Sequence, residues 1–465
     1  MRLIQLFPLF VLLSGCGNGG PPAAEAENLP PDIFLFTMDA LRADHLSVYG
    51  HKRDTSPWLA EIAERGVVMD RASATTSWTV PSVASMLTGM MPHQLGVTRV
   101  QVEEGNAEQR VPSTAITVAE RLRAQGYQTY AITSNALLSA ARGYDQGFDH
   151  FVNVGFEDAV SVAKGVAKYE AEIRDRKKPV FVWVHMFDPH DPYLPQEPWI
   201  DKWDRTHKGY KVKTATTPAD EKPLRDLTMA ALRNRTDLRR GKGGLIHVKA
   251  LYDSEIRFAD GVMADLHKRL DIDDGDLVIF TADHGEEFRD HAALGHHMNL
   301  YEETVRVPLI MSWPDKFKPG RRDERVSLME LTPTLAEIAG APVGPYGGVS
   351  SRSLMPLLVD GQRSPGPPVI VDVTRIGGTR LMGIYKGELK VVVHAKEPQR
   401  PLLFDLYTDP GETQNRAADM PIVVEGLIEA LNDRLEGLPT LEPEYVDGTM
   451  PDSVLEELKA MGYIH

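Results

Sequence analysis

Cysteine is almost absent from the sequence. Cys16 is the only one in 465 residues, so no disulfide can form within one chain. Positive charge is also in deficit, with 51 Lys and Arg against 66 Asp and Glu and a formal net charge of −15. A nucleic-acid partner would favour a basic face, so this balance argues against nucleic acid, although it leaves an anionic substrate open. Beyond the N-terminus, no apolar run is long enough for a transmembrane helix.

The N-terminus has the pattern of a bacterial secretory signal. Arg2 is basic, the apolar run 6–13 is too short to span a bilayer, and Leu-Ser-Gly directly precedes Cys16. This arrangement resembles a lipobox, in which the cysteine becomes the lipid-modified first residue; an ordinary cleaved signal is the alternative. We predict a signal peptide at 1–15, a flexible tether at 16–30 and a lipid anchor through Cys16 at the bacterial cell envelope, either at the outer membrane or on a periplasmic or extracellular face.

Two continuous apolar runs end in potential metal ligands. The run 32–39 ends at Asp39, and the run 276–283 ends at Asp283, which His284 follows. Continuous runs suit parallel strands covered on both faces, and open α/β sheets bind ligands at the carboxyl ends of their strands. Ligands of this oxygen and nitrogen type suit Zn²⁺ or Mn²⁺, with Ca²⁺ less favoured. The sequence therefore predicts a divalent metal site, with one or two ions, at this sheet edge.

Strands and helices alternate along most of the chain. Further strands are predicted at 129–134, 179–185 and 307–312, with helices at 57–65, 114–125 and 248–270. Alternation of this kind predicts an α/β fold with a doubly wound, mostly parallel sheet flanked by helices. From about Gly377, short alternating runs predict a small antiparallel sheet at 380–386, 388–394 and 402–406, with helices at 422–435 and 453–461.

The length of the chain predicts one large domain and a smaller one. We place a catalytic domain at 31–365 and a C-terminal α+β subdomain at 366–465. The stretch 202–242 is polar and rich in Lys and Arg, which predicts a solvated insertion or lid whose role stays open.

A third informative segment surrounds Thr79. Pro81 suits the first turn of a helix and Gly89 its end, which puts Thr79 at or near the N-cap. A simple capping threonine is common at such a position. The alternative is a nucleophile, since the N–H groups and dipole of a helix N-terminus stabilise a phosphate or sulfate group. The metal site predicted elsewhere in the chain favours the nucleophile.

These pieces, in this order, resemble the sulfatase family of the alkaline phosphatase superfamily. The resemblance rests on Asp39, the Thr79-Val80-Pro81-Ser82 segment with its Leu-Thr-Gly end, Asp283-His284-Gly285-Glu286, and the segments 41–50, 300–310 and 403–412. It covers about 31–463. It implies an alkaline phosphatase-like fold and a metal-dependent hydrolase of anionic esters, with Asp39, Thr79, Asp283 and His284 as metal ligands.

Thr79 departs from the classical pattern of this family. Classical sulfatases have Cys or Ser there, which is oxidised to formylglycine, and they have Arg where this chain has Val83. Threonine resembles the phosphorus-handling branches of the superfamily, in which a metal-bound threonine alkoxide attacks phosphorus directly. A bound dication lowers the pKa of a coordinated oxygen and so activates a hydroxyl. We therefore expect phosphate esters to be cleaved better than sulfate esters.

Two histidine segments complete the predicted site. His190 follows the strand 179–185, and His296 follows the second ligand pair by a short loop. By position, both resemble histidines that bind a second ion or the transferred group in related enzymes, with His297 as an alternative to His296. We predict Thr79, His190 and His296 as catalytic. The favoured function is hydrolysis of phosphate or sulfate esters; a head-group transferase acting on lipid or glycan and a non-catalytic binding protein are the alternatives.

Overall fold

The structure is a computed structural model that describes residues 30–98, 108–204, 242–342, 352–361, 366–375, 378–446 and residue 454. In chain order its strands are β1 (Ile33–Met38), β2 (Val67–Ser73), β3 (Glu108–Arg110), β4 (Gln128–Thr133), β5 (His150–Asn153), β6 (Val180–Met186), β7 (Leu277–Ala282), β8 (Glu287–Phe288), β9 (Leu294–Gly295), β10 (Arg306–Ser312), β11 (Gly320–Ser327), β12 (Ile370–Thr374), β13 (Arg380–Lys386), β14 (Leu389–His394), β15 (Leu402–Asp405) and β16 (Glu444–Val446).

The helices lie between these strands and at the chain's C-terminal side. The α-helices are Pro57–Glu64, Thr79–Thr88, Pro92–Leu95, Val118–Ala124, Ala159–Ala167, Glu170–Asp175, Trp199–Trp203, Lys242–Arg269, Glu302–Val305, Leu331–Ile338, Met355–Val359 and Pro421–Leu435. Short 3₁₀ turns occupy Ala43–His45, Ser47–Tyr49, Ala140–Arg142 and Leu328–Glu330. Within the described residues, no helix is both long and apolar enough to cross a membrane.

The larger sheet has eight strands in the order β11-β2-β10-β7-β1-β6-β4-β5. Only β10 runs against the others, since it pairs antiparallel with both β2 and β7. Every residue of β1 and β7 is buried, as expected for central parallel strands covered by helices on both faces. In register, Met38 lies opposite Met186 on one side and Ala282 on the other. The chain therefore leaves β1, β6 and β7 at the same level of the same edge.

The smaller sheet is antiparallel, in the order β12-β13-β14-β15. One of its faces packs on the helix Pro421–Leu435, through residues such as Val424 and Leu427. Apolar residues of its other face pack against Leu300 and Val305, which precede β10 of the larger sheet. Burial on both faces ties this sheet to the segment that precedes β10.

A fully buried lysine lies at this junction. Lys390 Nζ, on β14, lies 2.8 Å from Glu412 Oε1 and 3.3 Å from Glu302 Oε1. Tyr385 OH donates a hydrogen bond of 2.6 Å to Glu302 Oε1. A guanidinium nitrogen of Arg325 lies 3.6 Å from Glu302 Oε2. Burial opposes charge on Lys390, but the carboxylates outweigh that effect and raise its pKa. Two cations thus balance two anions at the contact between the second sheet and the helix Glu302–Val305.

The predicted fold class is confirmed, with differences in its details. The sequence did not indicate β2, β5, β11 or β12, and it did not show that β10 runs antiparallel. Charged residues interrupt the alternation of β11, which forms an edge of the sheet. The helix expected at 114–125 begins only at Val118, because Thr117 accepts a hydrogen bond from Glu120 N and caps it. Most of the 202–242 stretch and of the 453–461 helix lies outside the described residues.

Gly285 gives a test of the packing between β7 and the segment before β10. A Cβ at Gly285 would lie 2.1 Å from the backbone oxygen of Glu303, so Gly285→Ala should lower the melting temperature. Gly426 is the control, because it is exposed inside the helix Pro421–Leu435 and a Cβ added there would meet no atom within 4 Å. Because alanine favours a helix more than glycine does, Gly426→Ala should stabilise the protein by about 1 kcal/mol. Thermal unfolding measures the melting temperature of each variant. If both substitutions changed the melting temperature equally and in the same direction, the packing described around Gly285 would be contradicted.

Candidate active site and metal centre

Three buried side chains meet where β1 and β7 end. Asp39 follows β1, and Asp283 and His284 follow β7; all three are fully buried. One ligand atom from each lies within 4.8 Å of the others. The in-register pairing of β1 with β7 produces this proximity, because it brings the residue after each strand to the same level.

The two carboxylates are held by hydrogen bonds from the backbone and from one amide. Asp283 Oδ1 accepts hydrogen bonds from Ala40 N at 3.1 Å and from His284 N at 2.9 Å. Asp39 Oδ2 accepts one from Asn135 Nδ2 at 2.7 Å. Asp283 Oδ2 is buried and has no hydrogen-bond partner among the described residues. A buried carboxylate oxygen without a donor is costly unless a cation compensates it.

His284 presents one ring nitrogen to this centre. Its Nδ1 lies 2.8 Å from the carbonyl oxygen of Gly285, which only accepts, so Nδ1 carries the proton. Nε2 then faces the two carboxylates, 3.6 Å from Asp39 Oδ1 and 3.5 Å from Asp283 Oδ2. A backbone hydrogen bond that fixes the tautomer of a histidine is typical of metal ligands.

Thr79 is the first residue of the helix Thr79–Thr88, and Trp78 occupies the N-cap position. The helix therefore begins at Thr79, and the threonine does not act as its cap. Its Oγ1 instead lies 3.3 Å from Asp39 Oδ1 and 3.1 Å from His284 Nε2. Ser82 Oγ donates a hydrogen bond of 2.5 Å to the Asp283 carbonyl, which fixes the helix against the end of β7. The positive end of the helix dipole thus lies at the carboxylate pair.

The electrostatics of the centre require a positive partner. Burial opposes charge on Asp39, but the neighbouring His190 and His185 outweigh it and hold the pKa of Asp39 well below its usual range. Burial, together with the charge of Asp39, raises the pKa of Asp283. Two carboxylates cannot easily share a buried site as anions. The buried Asp283 oxygen without a hydrogen-bond partner among the described residues, and the unprotonated His284 nitrogen that faces it, fit a divalent cation.

The structure brings the other predicted residues to the same place. The ring of His296 lies 4.4 Å from that of His284 and 4.9 Å from that of His190, measured between centroids. His190 Nδ1 donates a hydrogen bond of 2.6 Å to the carbonyl of Asp191. His297 turns toward Trp78 instead, with ring centroids 5.4 Å apart. Geometry therefore favours His296 over His297 as the histidine that faces His190.

Glu286 belongs to a segment that carries the family resemblance, but its hydrogen-bond partners and the role of Asn135 were not predicted from the sequence. Glu286 is fully buried and accepts hydrogen bonds from His296 Nδ1 at 3.2 Å and from Tyr193 OH at 3.0 Å. Tyr193 follows His190 on the same loop, so Glu286 links the two histidine-bearing loops. Asn135, which donates a hydrogen bond to Asp39, is the second residue after β4, at the same sheet edge. The rule that ligands gather at carboxyl ends of parallel strands would have found Asn135.

Comparisons with known proteins show to which family the chain belongs. A profile described as Sulfatase matches residues 31–341, and one described as N-sulphoglucosamine sulphohydrolase, C-terminal, matches residues 294–440. An N-acetylgalactosamine-6-O-sulfatase of Bacteroides thetaiotaomicron is 24% identical, across 92% of this chain and 98% of its own. Human arylsulfatase A is 26% identical, across 90% of each chain.

Solved structures show the same fold. A protein solved in complex with its substrate D-glucosamine-2-N,6-O-disulfate superposes with a TM-score of 0.71 and 20% identity, covering 89% of this chain and 100% of its own. The phosphonate monoester hydrolase of Agrobacterium radiobacter superposes with a TM-score of 0.69 and 20% identity, covering 87% of this chain and 95% of its own. Since the first profile matches well over half of the sequence, the chain belongs to the sulfatase family and is an ester-hydrolysing enzyme.

Proposed function

We propose that this protein hydrolyses anionic sulfate or phosphate esters, with Thr79 as the nucleophile of a divalent metal centre. The observation that carries the proposal is the position of Thr79 Oγ1, which lies between Asp39 Oδ1 and His284 Nε2 at the start of a buried helix. A hydroxyl held against metal-ligand side chains at a helix N-terminus has both an activating site and an anion site beside it.

The metal ligands in this proposal are Asp39, Thr79, Asp283 and His284. Nitrogen and oxygen donors favour Zn²⁺ or Mn²⁺, with Ca²⁺ less suited, and one ion satisfies this set. When bound, such an ion lowers the pKa of a coordinated hydroxyl and polarises the ester. The same buried carboxylates that oppose each other without a cation become ligands with one.

The protein's own residues then carry the remaining steps. Thr79 Oγ gives its proton to solvent and attacks sulfur or phosphorus, and the bond to the alcohol oxygen breaks with its electron pair on that oxygen. His190 and His296 contact the transferred group and the leaving oxygen, to which one of them gives a proton. Glu286 holds the ring of His296 in place for this contact. Water then cleaves the threonyl ester, which releases the inorganic anion and restores the hydroxyl.

Thr79 supports phosphate esters as the faster substrates, while the names of several relatives support sulfate esters of sugars. The hydrate of a formylglycine has a second hydroxyl, which can expel sulfate by breaking a carbon–oxygen bond. A threonyl ester lacks that group, so water must attack the sulfur or phosphorus itself. Metal-assisted attack of water on a phosphoryl group is a widespread reaction. We propose an anionic sugar ester as the substrate class, with phosphate cleaved faster than sulfate.

Removal of divalent ions should lower both activity and the melting temperature. Without a cation, Asp39 and Asp283 oppose each other in a buried site; with one, the folded state gains about 2.7 kcal/mol at a hundred times the dissociation constant. Thermal unfolding after chelation, then with added Zn²⁺, Mn²⁺ or Ca²⁺, measures this effect. Asp283→Asn is the control and should respond little to the ions. Full activity and an unchanged melting temperature after chelation would refute the metal centre.

Thr79→Ala should lower turnover by roughly a thousandfold or more, because no other group replaces the nucleophile. Thr79→Ser keeps a hydroxyl and should retain measurable activity. Ser85→Ala is the matched control, since the buried Ser85 lies on the same helix and its Oγ has no hydrogen-bond partner among the described residues. Turnover is measured with 4-nitrophenyl phosphate, bis(4-nitrophenyl) phosphate and 4-nitrophenyl sulfate. Fastest turnover of the sulfate, with that activity kept in Thr79→Ala, would overturn the proposal.

We also propose that the protein is anchored to the cell envelope through a lipidated Cys16, which lies outside the described residues. The support is the lipobox-like Leu-Ser-Gly-Cys sequence after a short apolar run. Mass spectrometry of the protein from a bacterial membrane fraction should find a mature N-terminus at Cys16 that carries acyl chains. Cys16→Ser should move the protein out of that fraction. An unmodified N-terminus at another residue would contradict the anchor.

A further inference from the structure

A groove of about 820 Å³ lies between the smaller sheet and the segment that follows His296. We call it the lateral groove. Its walls come from β13, β14 and β15, from the turn 397–401, from the helix Pro421–Leu435 and from residues 299–301. Its volume falls within the range of about 300 to 1,000 Å³ that is usual for ligand sites. The proposed catalytic steps do not use this groove.

One wall of the lateral groove is close in sequence to a residue of the proposed active site. Asn299 lines the groove and is three residues from His296, so at most about 11 Å of extended chain separates their Cα atoms. Two hydrogen bonds fix this connecting segment. Ser77 Oγ, two residues before Thr79, donates to Asn299 O at 2.7 Å, and Arg375 Nε donates to Met298 O. One wall of the groove therefore lies within about two sugar rings of the proposed active site.

Two basic side chains stand at the same end of the smaller sheet. Arg375 follows β12 and His394 ends β14; both strands pair antiparallel with β13, so they finish at the same edge. Both residues line the groove. Arg375 forms no ion pair with any described acidic residue, and His394 Nδ1 is buried with no described hydrogen-bond partner. Among the charged residues that also line the groove, Arg400 pairs with Glu397, and Glu425 lies on the helix Pro421–Leu435. The charge of Arg375 is therefore not balanced by an ion pair at its end of the groove, which favours an anionic group there.

The lining of the groove has a mixed character. Its apolar part includes Leu381, Val392 and Ile428, and its polar part includes Gln399 and Glu425. A sugar ring offers apolar C–H faces and hydroxyl groups together, which suits such a surface. An acyl chain would leave these polar side chains unpaired against hydrocarbon.

We propose that the lateral groove binds the sugar rings next to the cleaved ester in an acidic oligosaccharide, with a second anionic group of that chain on Arg375 and His394. This inference rests on the proposed function, because it assigns the groove to the same substrate. It makes the protein selective for chains over single sugars through residues that take no part in the chemistry.

Binding without turnover tests the proposal. In a Thr79→Ala background, titration calorimetry compares a sulfated glycosaminoglycan hexasaccharide with the disaccharide of the same repeat. The hexasaccharide should bind more tightly. Arg375→Ala should weaken its binding about tenfold, as expected for one charge-assisted hydrogen bond, and remove most of its advantage over the disaccharide. His394→Ala should act in the same direction.

Lys177→Ala is the control, because this exposed lysine precedes β6, at the end of the strand away from the active site. It removes one positive charge and should leave both affinities unchanged. The binding role proposed for the groove would be refuted by any of three results. These are no hexasaccharide binding, equal affinities for the two sugars, or a hexasaccharide affinity that Arg375→Ala does not change. Arg375-dependent binding by a protein that cleaves none of the esters would instead keep the groove and reject the proposed function.

Discussion

The repulsion between two buried carboxylates governs the architecture of the active site. Asp39 and Asp283 are brought together because β1 pairs in register with β7, and both are fully buried. The fold cannot separate them without shifting the centre of its larger sheet. Like charges in a buried site are tolerated only with nearby positive charge or strong hydrogen bonds. The surrounding side chains and backbone groups supply both kinds of support, and the open positions that remain fit a divalent cation.

The helix Thr79–Thr88 connects this constraint to the chemistry. Ser82 holds the helix to the backbone of Asp283, and Tyr144 donates a hydrogen bond of 2.5 Å to Val80 O. These contacts direct the positive end of the helix dipole at the carboxylates and place the Thr79 hydroxyl between Asp39 and His284. One short helix therefore stabilises the negative charge of the centre and carries the proposed nucleophile. The same helix N-terminus also favours an incoming sulfate or phosphate.

The proximity of Asp39, Asp283 and His284 could be predicted from the sequence because its signals are local. Asp39 and Asp283 each follow a continuous apolar run, and a rule about parallel strands is enough to bring them together. The pairings that depend on distant parts of the chain were not predictable in this way. Glu286 acquires its partners from two loops, and β10 reverses direction although its apolar pattern matches that of a parallel strand. The start of the helix at Thr79, beyond a tryptophan cap, also departs from the usual capping preference.

The C-terminal sheet supports the site from a distance through buried charge. The segment from His284 to Glu302 carries His296 and is fixed at one end by β7. At its other end Glu302 bonds to Lys390, and Glu302 N donates a hydrogen bond of 2.6 Å to Glu412 Oε2. A buried ion pair contributes little net stability, but removing one partner leaves an uncompensated charge, which makes the arrangement specific. The position of His296 beside His284 therefore depends on the second sheet as well as on the first.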